Sequence, residues 1–380
     1  MELNRVARRS YKCRCGRPVF FRNSLCLGCK SPLGYEPGLG KLCSLLPAEA
    51  FGSWRIWNAG RIAPQVYMRC ANLDSVSQCN WLLPQQDSIA NKPVMCQSCR
   101  LERTIPDLSM ASNAACYSRI SFAKRRLIAL LIDLGLPIAS KDEEPENGLA
   151  FDFLRSPEGG PQILTGHDKG IITLNIEEAE DATRERIRSE MGESYRTLLG
   201  HLRHEIGHYY WTRLVNESPF VEDFRKLFGD ERLDYSSALA NYYQFGAKGE
   251  WPYFFVSAYA SSHPWEDWAE TWAHYLHIID TLNTARGFGL DPEVAIKMEI
   301  DPFQKSSLYK PSDANAPDFL DLINSWTLLT SVLNELSQAM GSPDFYPFVL
   351  CENVVAKLHF IHLLITQTAS RSSANSSSPV

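Results

Sequence analysis

The spacing of hydrophobic and polar positions changes several times along the chain. Between residues 114 and 135, an apolar set (Ile120, Leu127, Leu130, Leu131, Leu134) alternates with a basic set (Arg119, Lys124, Arg125, Arg126) at helical spacing. Around Phe151–Leu154 and Ile171–Ile176 the alternation shortens to every second residue. Gly159, Gly160 and Gly170 punctuate it, which predicts short strands. From Glu178 to Asn216 the chain is densely charged and then amphipathic, with Leu198, Leu199, Leu202 and Ile206 recurring at helical spacing. A further helix is predicted after Pro264, a residue suited to a first helical turn. Its apolar stripe is Trp265, Trp268, Ala269, Trp272, Ala273, Leu276 and Ile279, while Glu266, Glu270 and His274 fall at i, i+4 and i+8 on one polar face. The final segment, ASRSSANSSSPV, is small and polar, a composition that predicts disorder.

A chain of 380 residues and 43.0 kDa exceeds one ordinary domain. With 44% apolar and 22% charged residues it can bury a core, which excludes a disordered chain. No apolar run reaches the roughly 18 residues of a membrane span. The best candidate, Leu127 to Ala139, is interrupted by Asp133 and Pro137. The first residues, MELNRVARRSYKCRC, carry charge without an apolar stretch, which argues against a secretory leader. A soluble, cytoplasmic protein with no membrane partner is expected.

The net charge of −6 hides an asymmetry: residues 1–110 are formally +8, leaving −14 for the remainder. A basic arm invites a nucleic-acid reading, but eight of the eleven cysteines lie in it. Cys13, Cys15, Cys26 and Cys29 read C-x-C-x10-C-x2-C, and Cys70, Cys79, Cys96 and Cys99 read C-x8-C-x16-C-x2-C. In a cytosolic chain such pairs point to tetrahedral zinc rather than disulfides, because the loop places two thiolates on one side of a metal at about 2.3 Å. Two Zn²⁺ ions held by four thiolates each would lower the arm to about +4, so a zinc module with a solvated basic rim is favoured over a nucleic-acid binder. Gly16 and Gly28 are expected to serve the tight turns beside the thiols. These segments are too short to bury cores of their own, so metal would supply their folding energy. Cys43, Cys116 and Cys351 stand alone and are expected to be small core residues.

Residues 204–208 read His-Glu-Ile-Gly-His. On a helix, His204 and His208 share a face and can reach one metal, while Glu205 sits about 100° round, where it can take a proton from metal-bound water. With 9 histidines and 44 carboxylates in the chain, an H-[DE]-x-x-H arises by chance only about 0.02 times. A third protein ligand leaves one position open, and the helix after Pro264 supplies candidates. We assign Glu266 as that ligand, with Glu270 one turn on as an acceptor orienting a histidine ring. Glu270 as ligand with His274 behind it is the alternative. Gly207, between the two histidines, would let that second helix come close. Tyr346, His362 and Tyr210 are candidates to stabilise an oxyanion, and sequence does not rank them.

This arrangement resembles the gluzincin type of zincin metallopeptidases. The stretches CGRPVFFRNSLCLGC, CNWLLP, CQSCRLERTIPDLS, YRTLLGHLRHEIGHYYW, HPWEDWAETWAHYLH and DFYPFV resemble a bacterial family of zinc-binding metallopeptidases with zinc-ribbon N-termini. The first cysteine pair is C-x-C where a ribbon usually has C-x2-C. The resemblance implies an α+β chain in which zinc-ribbon modules precede a mainly helical zincin-like domain with a small β-sheet. The expected boundaries are 1–35 for a first ribbon, 36–110 for a second ribbon-like module, 111–367 for the metallopeptidase domain and 368–380 for a disordered tail. It further implies one catalytic and two structural Zn²⁺, with the first glutamate of the E-x-x-x-E helix as third ligand. Peptide hydrolysis with Glu205 as general base is then the expected activity. A selective regulatory protease suits a cytosolic setting better than a digestive one, and the ribbons are expected to present a peptide substrate or a partner protein. The rival reading is a ribbon protein binding protein or nucleic acid, with an inactive or structural HExxH.

Overall fold

The computed structural model describes residues 9–58, 60–85, 94–190 and 197–376. The chain divides into two compact units, one running to Ile187 and including Arg286–Phe288, the other taking Arg188–Ala285 and the chain from Gly289.

The first unit opens with a two-stranded hairpin, Tyr11–Lys12 (β1) and Pro18–Val19 (β2), whose turn carries Cys13 and Cys15. Gly16 in that turn has φ +84°, a conformation that costs a Cβ-bearing residue energy. The second turn differs from expectation: the positive φ falls on Lys30 (+59°), and the nearest atoms a Cβ at Gly28 would meet belong to the exposed, flexible side chain of Arg17. Next come Leu33–Glu36 (β3), Lys41–Pro47 (β4), Ser53–Asn58 (β5), Arg61–Arg69 (β6) and Leu82–Pro84 (β7). They form one antiparallel sheet with neighbours in chain order. Leu45, Ile56, Tyr67 and Leu82 pack together as a small core. This sheet was not foreseen, because proline and glycine interrupt its alternation.

After Gln97–Arg100 (α1), Glu102–Thr104 (β8) and the long helix Ala111–Asp133 (α2) come Ala150–Leu154 (β9), Gly166–Asp168 (β10) and Ile171–Asn175 (β11). These four strands make a second sheet in the order β10-β11-β9-β8, with β9 parallel to both neighbours. The predicted strands are there, and the predicted helix corresponds to α2. Its basic face is only partly solvated. Lys124 and Arg125 are buried. Lys124 Nζ donates to Ser98 O at 2.6 Å and to the Glu102 carboxylate, and lies over the rings of Phe151 and Phe153 at 5.7 and 5.9 Å. Arg125 donates to the hydroxyls of Ser77 (2.8 Å) and Ser121 (3.1 Å). Helical periodicity marks a side chain's direction, and a long cation that finds acceptors can be interior.

A helix at Asp181–Glu190 (α3) spans the division between the units. The second unit contains Leu198–Leu214 (α4), Val221–Phe228 (α5), Tyr235–Phe245 (α6), Pro264–Gly287 (α7, apart from its last two residues), Pro292–Ala295 (α8), Ala316–Ala339 (α9) and Glu352–Ser376 (α10). The Thr197 hydroxyl caps α4 by accepting from Gly200 N–H at 3.0 Å. Helix α7 is central: Trp268, Trp272, Leu276 and Ile279 on its apolar stripe are fully buried, and so are Glu266 and Asp267. Asp267 meets Lys357 of α10 at 2.6 Å, and Trp268 faces Phe360. The tail expected to be disordered from residue 368 is helical as far as Ser376, because the apolar face of α10 carries the helix past its last anchors (Ile365 and Ala369 are buried). Residues 377–380 lie outside the described residues. Among the described residues no helix is long and apolar enough to cross a membrane. Cys116 is buried as expected, whereas Cys43 and Cys351 are only half-buried.

Candidate metal centre

Helices α4 and α7 are brought together at Gly207. A Cβ there would lie 3.0 Å from Ala269 Cα, so only glycine allows this approach without displacement. Trp268 Nε1–H donates to Gly207 O at 2.8 Å and fixes the contact. On either side of it the predicted residues converge. Nε2 of His204 lies 3.0 Å from Glu266 Oε2, Nε2 of His208 lies 3.5 Å from Glu266 Oε1, and the two ring nitrogens are 3.2 Å apart. All three side chains are buried, and their donor atoms lie within 4.8 Å of one another.

Glu270 meets the other nitrogen of the first ring. His204 Nδ1 donates to Glu270 Oε1 at 2.7 Å, and Ser257 Oγ donates to Glu270 Oε2 at 2.6 Å. The two carboxylates outweigh burial and hold the His204 ring well above its ordinary pKa; were a metal bound, the Nδ1–H bond to Glu270 would leave the Nε2 lone pair of His204 free to ligate it. Burial would raise the pKa of both carboxylates, yet the facing histidines outweigh it: Glu266 sits well below the carboxylate range, and the His204 ring holds Glu270 at about 2. No hydrogen bond reaches the buried Glu266 Oε2. Two imidazole nitrogens and a carboxylate oxygen aimed at one another, the oxygen buried without a hydrogen bond, form a donor set that fits zinc.

Two neighbours were not anticipated. His201, one turn before Glu205, places Nε2 3.3 Å from Glu205 Oε1; its i−4 spacing from Glu205 was the available signal. Tyr235 of α6 donates its hydroxyl to Glu266 Oε1 at 2.7 Å from 31 residues away, which no local pattern could show. Trp265 covers the His208 ring at 4.2 Å between centroids. The three tyrosine and histidine candidates for an oxyanion have other partners: Tyr210 stacks on Trp272, Tyr346 pairs with His274 Nδ1 at 2.5 Å, and His362 Nδ1 pairs with Tyr275 at 2.9 Å. His274 is thus engaged with Tyr346, and burial holds it down to about 4.

In the first unit the thiols gather as their spacing suggested. Sγ of Cys13, Cys15, Cys26 and Cys29 lie within 4.8 Å of one another, as do those of Cys70, Cys79, Cys96 and Cys99. The C-x-C pair does not prevent convergence: Cys13 and Cys29 approach to 3.5 Å, Cys15 and Cys26 to 3.8 Å. The second set is wholly buried, and the buried cations Lys124 and Arg125 contact Ser98 and Ser77, which lie between its members in sequence. Both sets suit zinc thiolates.

Residues 113–364 match a family described as "Putative zinc-binding metallo-peptidase", and residues 10–110 match a zinc-ribbon domain. Proteins of Mycobacterium bovis and of two Mycobacterium tuberculosis strains, themselves uncharacterized, are 42% identical over 363 residues, covering 95% of this chain and 96% of theirs. No solved structure matches.

Proposed function

Because the chain belongs to this zinc-binding metallopeptidase family, we propose that it hydrolyses peptide bonds at a Zn²⁺ site held by His204, His208 and Glu266, with Glu205 as general base. The observation that carries the proposal is the convergence of the two Nε2 atoms on the buried Glu266 carboxylate. Bound there, zinc would polarise the scissile carbonyl and lower the pKa of a water. Glu205, whose Oε1 lies 3.3 Å from His201 Nε2, would accept a proton from the attacking water and return it to the leaving amine. Glu270 fixes the tautomer and plane of His204 from the side away from Glu266. That division of labour favours Glu266 over Glu270 as third ligand. The two cysteine sets each hold a structural zinc, giving three ions per chain. The ribbon region would serve a protein substrate or partner, in keeping with a selective, cytoplasmic protease.

Elemental analysis should find three zinc ions per chain, falling to two in His204→Ala. Glu205→Gln should keep all three and lose peptide-library cleavage by a factor of about 10² to 10⁴. Unchanged cleavage in Glu205→Gln would sink the mechanism, and two ions in both wild type and His204→Ala would sink the site.

A further inference from the structure

Glu266 ends a flexible side chain, yet the site needs one of its oxygens held toward the histidines. Its oxygens are treated differently: Oε2 faces His204 Nε2 at 3.0 Å and receives no hydrogen bond, while Oε1 accepts from Tyr235 at 2.7 Å and lies 3.5 Å from His208 Nε2. At neutral pH a phenol keeps its proton and the carboxylate can only accept, so the direction of this bond is fixed.

Tyr235 is itself held in place. It is the first residue of α6, after Asp234, whose carboxylate caps the helix by accepting from Ser237 N–H at 2.6 Å. The preceding Leu233 accepts from His263 Nε2–H at 3.1 Å, and His263 Nδ1 accepts from Trp265 N–H at 3.1 Å. His263 therefore ties the start of α6 to the start of α7, one residue from Glu266. The Tyr235 ring stands edge-on to His263 and Trp265, at 5.2 and 5.9 Å. Beyond these contacts α6 is lightly anchored: none of its residues is buried, and Tyr242 meets Tyr259, whose ring lies 6.0 Å from His204.

We propose that Tyr235 is a positioning residue of the metal centre: by donating to Glu266 Oε1 it fixes the rotation of the carboxylate that sets Oε2 against His204 Nε2 and Oε1 near His208 Nε2, so that metal retention depends on the placement of α6. This rests on the assignment of Glu266 as a ligand. Partners of this kind behind a metal ligand typically change metal affinity about 10- to 100-fold.

The test uses the full chain and zinc alone, by competition with a fluorescent chelator. The zinc bound by wild type and lost in Glu266→Gln defines the site. Tyr235→Phe should weaken that zinc about 10- to 100-fold, while leaving unchanged the melting temperature of the Glu266→Gln protein, which lacks this zinc and keeps its structural ions. Gln244→Ala, at an exposed position on the same helix, should leave affinity within about twofold. Asp234→Ala, which loosens the start of α6 without touching the ring, should weaken binding in the same direction and keeps the test open if Tyr235→Phe folds poorly. Wild-type affinity in both Tyr235→Phe and Asp234→Ala, with zinc lost in Glu266→Gln, would overturn the role of Tyr235 and leave the metal site standing. A lower melting temperature with unchanged affinity would mark the tyrosine as merely structural. Absence of any Glu266-dependent zinc in wild type would overturn the site and the proposal together.

Discussion

Replacing Gly207 by alanine tests whether the α4–α7 approach sets the geometry of the metal centre. The added Cβ would lie 3.0 Å from Ala269 Cα, 3.2 Å from Trp272 Cβ and 3.3 Å from Ala269 O. Relaxed carbon contacts are about 3.5–4.0 Å, so the helices must part by several tenths of an ångström. Two of the three obstructing atoms belong to the backbone of a buried helix, and both Ala269 and Trp272 are fully buried. Alanine gains about 1 kcal/mol in helix propensity over glycine, while overpacking costs about 1–3 kcal/mol. The expected balance is a loss of about 1 kcal/mol, a fall in melting temperature of roughly 2–4 °C. The larger effect should be on metal. Gly207 lies three residues after His204 and one before His208, and Ala269 lies between Glu266 and Glu270, so parting the helices separates the ligands. Zinc affinity at the His/His/Glu site should drop at least about tenfold, more than the lost stability predicts. Near-UV circular dichroism melts and chelator competition read the two effects. A raised melting temperature with wild-type zinc affinity would refute the reasoning.

Lys124→Met should destabilise the first unit by about 3–5 kcal/mol, because it leaves Glu102 buried without its cation. Arg119→Met on the same helix, whose ion pair with Asp181 is exposed, should cost under about 1 kcal/mol; equal effects in urea titrations would contradict the interior role of Lys124. Burial holds His359 and His362 down to about 4, below the ordinary value of 6.5. Unfolding releases them to bind protons below pH 6.5, so their contribution is fully present above that pH and is lost as pH falls toward 4. Each contributes at most about 1.4 kcal/mol per pH unit to the slope. The double variant His359→Gln/His362→Asn should flatten stability against pH in this window relative to wild type, and an unchanged slope would show that other groups carry it.

Much of the candidate site was legible from residues close in sequence. An i, i+4 pair of histidines needs only a helix to share a face, and the period of Leu198, Leu199, Leu202 and Ile206 supplied it. The polar face of α7 was legible for the same reason. The five-stranded sheet was hidden because Pro64 and nearby glycines broke its alternation, and its core residues come from four different strands.

What the sequence by itself determined is therefore local chemistry: two thiol sets, the HExxH helix, and a helix offering Glu266 and Glu270. Spacing fixes which side chains share a face, because backbone geometry repeats. What only the tertiary structure decided is which of those groups meet. Packing at Gly207 sets Glu266 against both Nε2 atoms and Glu270 behind His204, a distinction invisible in an i, i+4 pair of identical residues. It also turns Lys124 and Arg125 inward, and carries Tyr235 across 31 residues to one carboxylate oxygen. Such pairings depend on distances between separate helices, which close packing fixes to tenths of an ångström and periodicity along one chain does not encode.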